Sequence, residues 1–157
     1  MIMLRKAEKK DINRIAEIII FAKRDTYRPI FKNDQVSFNE MQVGFEIQRL
    51  HKEGEMDNLY VYDDGIVKAI ITIQVGEDSV HLTDFYVDPF FQGQGIGTYI
   101  LDTIAEKYKG KEIHANPLDQ NTRTVEYYEK YGFDYTGNKE EFLDSGFYML
   151  DYCLKND

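Results

Sequence analysis

The chain has very little cysteine. Cys153 is its only one among 157 residues, so an intramolecular disulfide is excluded and a reducing compartment is expected. Basic charge is also short: 19 Lys and Arg stand against 28 Asp and Glu, a net charge of −9. A nucleic-acid binder would show a basic patch or stripe, which this balance argues against, whereas a cationic partner such as an amine is compatible with it. No apolar run approaches the ~20 residues of a membrane span. Met1 to Lys6 (MIMLRK) lacks the layout of a signal peptide. A cytoplasmic protein is therefore expected, with no membrane and no nucleic acid among its partners. What the sequence does have is 43% hydrophobic and 14% aromatic residues, enough for one globular domain over residues 1–157. There is no internal repeat, low-complexity tract or linker.

Periodicity gives the element order. Ile2 to Ala7 reads as a strand. Ile12, Ile15, Ala16, Ile19 and Ala22 fall on one face of a helix opened by Glu8 to Asp11. Arg28-Pro29 interrupts it, and Tyr27 to Val36 reads as a loop or broken helix. A second helix is predicted from Phe38 to Lys52. The period then changes to two. Leu59 to Tyr62 and Ile66 to Val75 read as strands joined by a hairpin at Asp63-Asp64-Gly65, and Val80 to Val87 as the next strand. The helix that follows uses Ile96, Tyr99, Ile100, Thr103, Ile104 and Tyr108, and Gly110 ends it. Lys111 to Ala115 is a strand expected to run parallel to its predecessor. Thr122 to Tyr131 is a helix stopped by Gly132. Phe133 to Thr136 and Phe147 to Leu154 are the last strands. This order predicts an α+β domain in which an antiparallel meander leads into a parallel crossover.

The most informative stretch is Val87-Asp88-Pro89-Phe90-Phe91-Gln92-Gly93-Gln94-Gly95-Ile96-Gly97-Thr98. It joins a strand to a helix and carries three glycines where backbone N–H groups point out of the helix N-terminus. Free donors and the positive end of the helix dipole suit phosphate oxygens. A P-loop would need a lysine, and none lies between Gly93 and Thr98; a dinucleotide fingerprint would need its third glycine one residue later than Gly97. The alternative is a loop that is glycine-rich for tight packing. Gln92-x-x-Gly95-x-Gly97, preceded by Val87-x-Pro89, resembles the acyl-coenzyme A motif of the GNAT superfamily of N-acetyltransferases. Asn121, Thr124, Tyr128 and Gly132-Phe133 resemble that family's second signature, with Thr124 where Ala is usual. The resemblance covers about Asn58 to Asp151; before that only the element pattern matches.

The resemblance implies a GNAT fold: a mostly antiparallel sheet of about seven strands, splayed after the fourth and flanked by about four helices. It implies acetyl-CoA as cosubstrate, with the splay admitting its pantetheine arm. The main chain of Phe85, Tyr86 and Val87 would meet the acetyl-pantetheine; core packing is the reading for the side chains of Phe85 and Val87. Gln92, Gly93, Gln94, Gly95, Ile96, Gly97 and Thr98 would hold the pyrophosphate. Asn121 would bond near the pantetheine or brace the loop. Tyr128 would lie near the thioester sulfur, both contacting the cofactor and serving as general acid for the leaving thiolate. Core packing is the alternative for Tyr128 and the reading for Tyr127 and Tyr131. His81 is a candidate general base, with Asp84 and Glu77 as alternatives and a water relay as another. Ideal alternation puts Asp84 on the strand face opposite His81. His51 and His114 read as structural or solvated, no His/Cys/Asp/Glu spacing suggests a metal, and no Ser/His/Asp or Cys/His nucleophile is legible. Acetyl transfer to a primary amine, on a small molecule or a protein, would follow direct attack in a ternary complex. A longer acyl group or a non-catalytic acyl-CoA sensor are the rival readings, a nucleotide-binding module is disfavoured by the loop's spacing, and a homodimer fits the family. Asp25, Tyr27, Arg28, Phe31 and the Tyr135 to Phe147 region are expected to select the acceptor, with Glu140, Glu141 and Asp144 as acidic charge on the loop joining the last strands.

Overall fold

The computed structural model describes residues 3–157; Ile2, the expected start of the first strand, lies outside them. Seven strands hydrogen-bond in the order β1-β2-β3-β4-β5-β7-β6: β1 Leu4–Lys6, β2 Leu59–Asp63, β3 Val67–Val75, β4 Ser79–Val87, β5 Glu112–Ala115, β6 Asp134–Glu141 and β7 Tyr148–Leu154. The four α-helices are α1 Ile12–Phe31, α2 Val43–Leu50, α3 Ile96–Lys107 and α4 Thr122–Tyr131. Pairing is antiparallel in β1–β2, β2–β3, β5–β7 and β6–β7, and parallel in β4–β5. This is the expected mixed α+β class. The β5 ladder accompanies β4 only from Ser79 to Leu82, while β4 itself runs on to Val87.

By its contacts the chain divides into two compact units. The first comprises the chain up to Ile73 together with Asp84–Thr103. Its core is built on α1: Ile12, Ile15, Ala16, Ile18, Ile19 and Ile20 pack with Leu50, Leu59, Val61 and Ile70. Each buried isoleucine contributes roughly 1.5–3 kcal/mol by leaving water. Ile18 and Ile20 lie off the predicted stripe yet are as buried as Ile15, so this part of α1 is enclosed on more than one side. The helix also runs through Pro29, against expectation. Only Ile30 and Phe31 follow that proline within the helix, so the lost bond and the crowding by its ring fall on the last turn and little helix remains to be displaced. Lys32 then closes α1 with φ 53°, its N–H donating to the Arg28 carbonyl.

The predicted second helix is in fact two pieces. A π-helical turn covers Gln35–Glu40, the chain breaks at Met41-Gln42, and α2 covers Val43–Leu50. Arg24 fastens the break: its Nε donates to the Ser37 carbonyl and its Nη2 to that of Met41. Long-range bonds of this kind leave no periodic trace in the sequence.

The second unit comprises Gln74–Thr83 and Ile104–Asp157. Val80, Leu82, Ile104, Ile113, Ala115, Leu118, Phe133 and Tyr152 are buried in it. Its last hairpin is longer than expected, with β6 reaching Glu141. Glu140 and Glu141 therefore sit on a strand rather than on the connecting loop, where only Asp144 remains. Every residue of β6 is exposed and the register shifts between Tyr135 and Lys139. Such a charged, irregular edge resists pairing with another chain.

Candidate acetyl-CoA and acceptor site

In the first unit, β4 ends in a built turn. Asp88 is almost fully buried and its carboxylate accepts from Phe90 N–H at 2.9 Å, capping the 3₁₀ turn Pro89–Phe91. Its other oxygen lies 2.7 Å from Arg14 Nη2, and Arg14 Nε donates to the Val67 carbonyl. A buried carboxylate needs such a partner. Gln92 Nε2 donates back to the Val87 carbonyl at 3.3 Å. Arg14 escaped the sequence reading because it belongs to a different element, 74 positions from Asp88.

Gly93 and Gly95 take φ 80° and 79°, and a Cβ on either would meet no described atom within 4 Å. The tight-packing alternative would have put neighbours there. Left-handed backbone favours glycine at both places, and the space beside them is open. Tyr99 N–H donates to the Gly95 carbonyl, so the amides of Ile96 and Gly97 stand in the first turn of α3, where a helix has no carbonyl of its own to receive them. The Ile96 side chain is buried while Gly93, Gln94 and Gly95 are exposed. Open space, left-handed glycines and a helix start fit a pyrophosphate.

Asp84 departs from strand geometry with φ 47°, a conformation that Asp tolerates better than most residues. Tyr86 packs on the core cluster, whereas Phe85 and Val87, expected there, are half-buried outside it. The Asp84 carboxylate accepts from Thr72 Oγ1 at 3.2 Å and is itself exposed. Tyr86 and Tyr27 share a hydrogen bond. Burial first, then the Tyr27 hydroxyl and the Asp84 charge, raises the Tyr86 phenol well above its ordinary value. Burial, and the same Asp84 charge, also raises Tyr27, although its bond to Tyr86 acts the other way. Asp84 is felt at Arg49 and Glu46 at Tyr86, both from α2. Sequence reasoning named Asp84, Tyr86 and Tyr27 separately; Thr72, Glu46 and Arg49 it missed. Asp25 and Arg28 instead line an open groove with Phe21, Phe38 and Phe90, and Arg28 is paired with Asp34 at 2.8 Å.

The second unit holds the remaining candidates. His81 stands opposite His114 in the β4–β5 register, and the two rings stack at 4.9 Å with planes 14° apart. Its Nε2 is 3.4 Å from Ser79 Oγ. Asn121 is the N-cap of α4, its Oδ1 accepting from Thr124 N–H at 3.4 Å. Tyr128 is buried, its ring 5.1 Å from that of Phe133 and 5.9 Å from that of Tyr127. Glu77 is exposed in the turn before β4. Burial, reinforced by the Glu112 carboxylate, pushes the Cys153 thiol up to about 12, so it is no activated nucleophile. No helix among the described residues is long and apolar enough to cross a membrane.

A family model for the acetyltransferase (GNAT) domain matches residues 28–155. Over 62 residues the chain is 32% identical to the spermine/spermidine N(1)-acetyltransferase of Bacillus subtilis, covering 37% of this chain and 41% of that protein. Over 60 residues it is 35% identical to a peptidyl-lysine N-acetyltransferase of Salmonella typhimurium, covering 38% and 40%. The chain thus spans less than half the length of either relative. The crystal structure of the PaiA N-acetyltransferase from Thermoplasma acidophilum in complex with coenzyme A superposes with a TM-score of 0.64 over 94% of this chain and 96% of that one, at 19% identity. That likeness concerns the fold. With the family match running through both units and the fold alike, the chain belongs to the GNAT acetyltransferase family.

Proposed function

We propose that this protein is a single-domain N-acetyltransferase that moves the acetyl group of acetyl-CoA directly to a primary amine in a ternary complex. The observation that carries the reading is the loop at Gly93 and Gly95, left-handed and open, ahead of the first turn of α3. There the amides from Gly93 to Thr98 would receive the pyrophosphate, aided by the helix dipole. Acetyl-CoA supplies the activated thioester. The main chain from Phe85 to Val87 would align it, and Tyr128 takes the part its motif position gives it, donating a proton to the departing thiolate.

For the base we favour Asp84 over His81. Asp84 is exposed, held by Thr72, and stands with Glu46 and two tyrosine hydroxyls in one electrostatic neighbourhood. Glu46 is paired with Arg49 at 2.8 Å, which leaves the Asp84 carboxylate to attract an ammonium group and take its proton before attack. His81 is engaged with His114 instead. The acceptor is a cationic amine of the polyamine or lysine kind, in keeping with the Asp84 carboxylate, with the acidic charge of the whole chain, and with the two relatives.

The test is thiol release from acetyl-CoA with spermidine, spermine and a lysine peptide as acceptors. Release with at least one amine, together with a mass increase of one acetyl group on that amine, supports the proposal. Tight acetyl-CoA binding without transfer to any of them would favour the sensor reading.

A further inference from the structure

A second cluster lies on β5 and β7, and acetyl transfer makes no use of it. Side chains two apart on a strand share a face, so Glu112 and His114 project together. In the antiparallel register His114 stands opposite Cys153. Glu112 Oε2 lies 2.9 Å from Cys153 Sγ and 3.9 Å from His114 Nε2, and the three potential ligand atoms all fall within 4.8 Å of one another. Zinc bonded at about 2.0 Å to nitrogen and oxygen and about 2.3 Å to sulfur would set neighbouring ligands about 3.5 Å apart. Side-chain shifts of about an ångström reach that geometry.

The surroundings of His114 also suit a metal ligand. Its Nδ1 lies 2.9 Å from Asp151 Oδ1. An ionised carboxylate only accepts, so in the neutral ring Nδ1 carries the proton and Nε2 keeps its lone pair for a metal. Asp151 is held in turn by Thr136 Oγ1, which donates to its other oxygen at 2.9 Å, and the His81 ring supports the imidazole plane. A carboxylate on the far nitrogen of a histidine is the arrangement that orients metal-ligating imidazoles. Cys153 is buried, His114 half-buried and Glu112 exposed, which gives an ion a path from solvent.

We propose that Glu112, His114 and Cys153 form a zinc site, with a water molecule as the fourth ligand. On binding, the Cys153 Sγ–H proton leaves to solvent and the thiolate sulfur bonds the metal. One thiolate and one imidazole select zinc over magnesium or calcium, which prefer oxygen. The ion would clip β5 to β7. Short-range spacing could not reveal it, because Cys153 lies 39 positions beyond His114.

The test uses untagged, metal-free full-length protein, titrated with Zn²⁺ against a chromophoric chelator and separately with Co²⁺ in the spectrometer. The expected results are one equivalent of zinc per chain and a thiolate-to-cobalt charge-transfer band in the near ultraviolet. Glu112→Gln, at an exposed position that leaves folding intact, should weaken zinc binding at least about 10-fold, and Asp151→Asn about 10-fold. Cys153→Ser should remove the charge-transfer band. Failure of the wild type to bind one equivalent, absence of the band in it, or unchanged zinc affinity in folded Glu112→Gln would overturn the proposal.

Discussion

The two ends of β4 obey different rules. From Ser79 to Leu82 the strand keeps parallel register with β5, Val80 and Leu82 are buried, and His81 meets its cross-strand neighbour His114 ring to ring. From Asp84 onward the backbone turns left-handed once, Tyr86 takes the core-packed position, and the strand runs into a turn closed by a buried Arg14–Asp88 pair and then into the open glycine loop. The first end is shaped by sheet pairing. The second holds a non-glycine residue in a costly conformation, and strain of that kind gathers at functional sites. Two general-base candidates three residues apart on one strand are thereby separated by their surroundings, not by their chemistry.

Substitutions can break this contrast. The largest effect is expected at the loop: Gly95→Glu places bulk and negative charge where the pyrophosphate would lie, and acetyl-CoA binding should vanish in a calorimetric titration while the protein stays folded. Next comes the base. Asp84→Asn keeps size and tolerance of the left-handed conformation but loses the proton acceptor, and kcat/KM should fall by about 10²-fold or more. His81→Gln should leave kcat/KM within about 2-fold; a large loss there with Asp84→Asn unaffected would exchange the two roles. Arg14→Met removes the partner of a buried carboxylate, and denaturant unfolding should report a loss of about 2 kcal/mol, below the range for fully buried pairs because Arg14 is partly exposed. The smallest change in stability sharpens the contrast most: Asp84→Gly relieves the left-handed backbone and should raise stability by up to about 1 kcal/mol while lowering kcat/KM as Asp84→Asn does.

Much of the fold was legible where local signals agree with tertiary ones. The end of α4 follows from Gly132 as stop, and the β2–β3 hairpin from Asp63-Asp64-Gly65. What escaped is nonlocal. Pro29 reads as a breaker, yet it sits in the last turn of α1, where only two helical residues follow it. The break at Met41 depends on Arg24, and the length of β6 on pairing with β7. In the site, the glycine loop was legible from its motif. The left-handed backbone at Asp84 was not, because alternation assumes a regular strand throughout.

Binding of acetyl-CoA at the glycine loop is tested most directly by isothermal titration calorimetry with acetyl-CoA, with ATP and NAD as controls. Selective binding of acetyl-CoA at micromolar affinity and one site per chain is the predicted result. A folded protein that ignores acetyl-CoA, or binds ATP or NAD equally well, would contradict it.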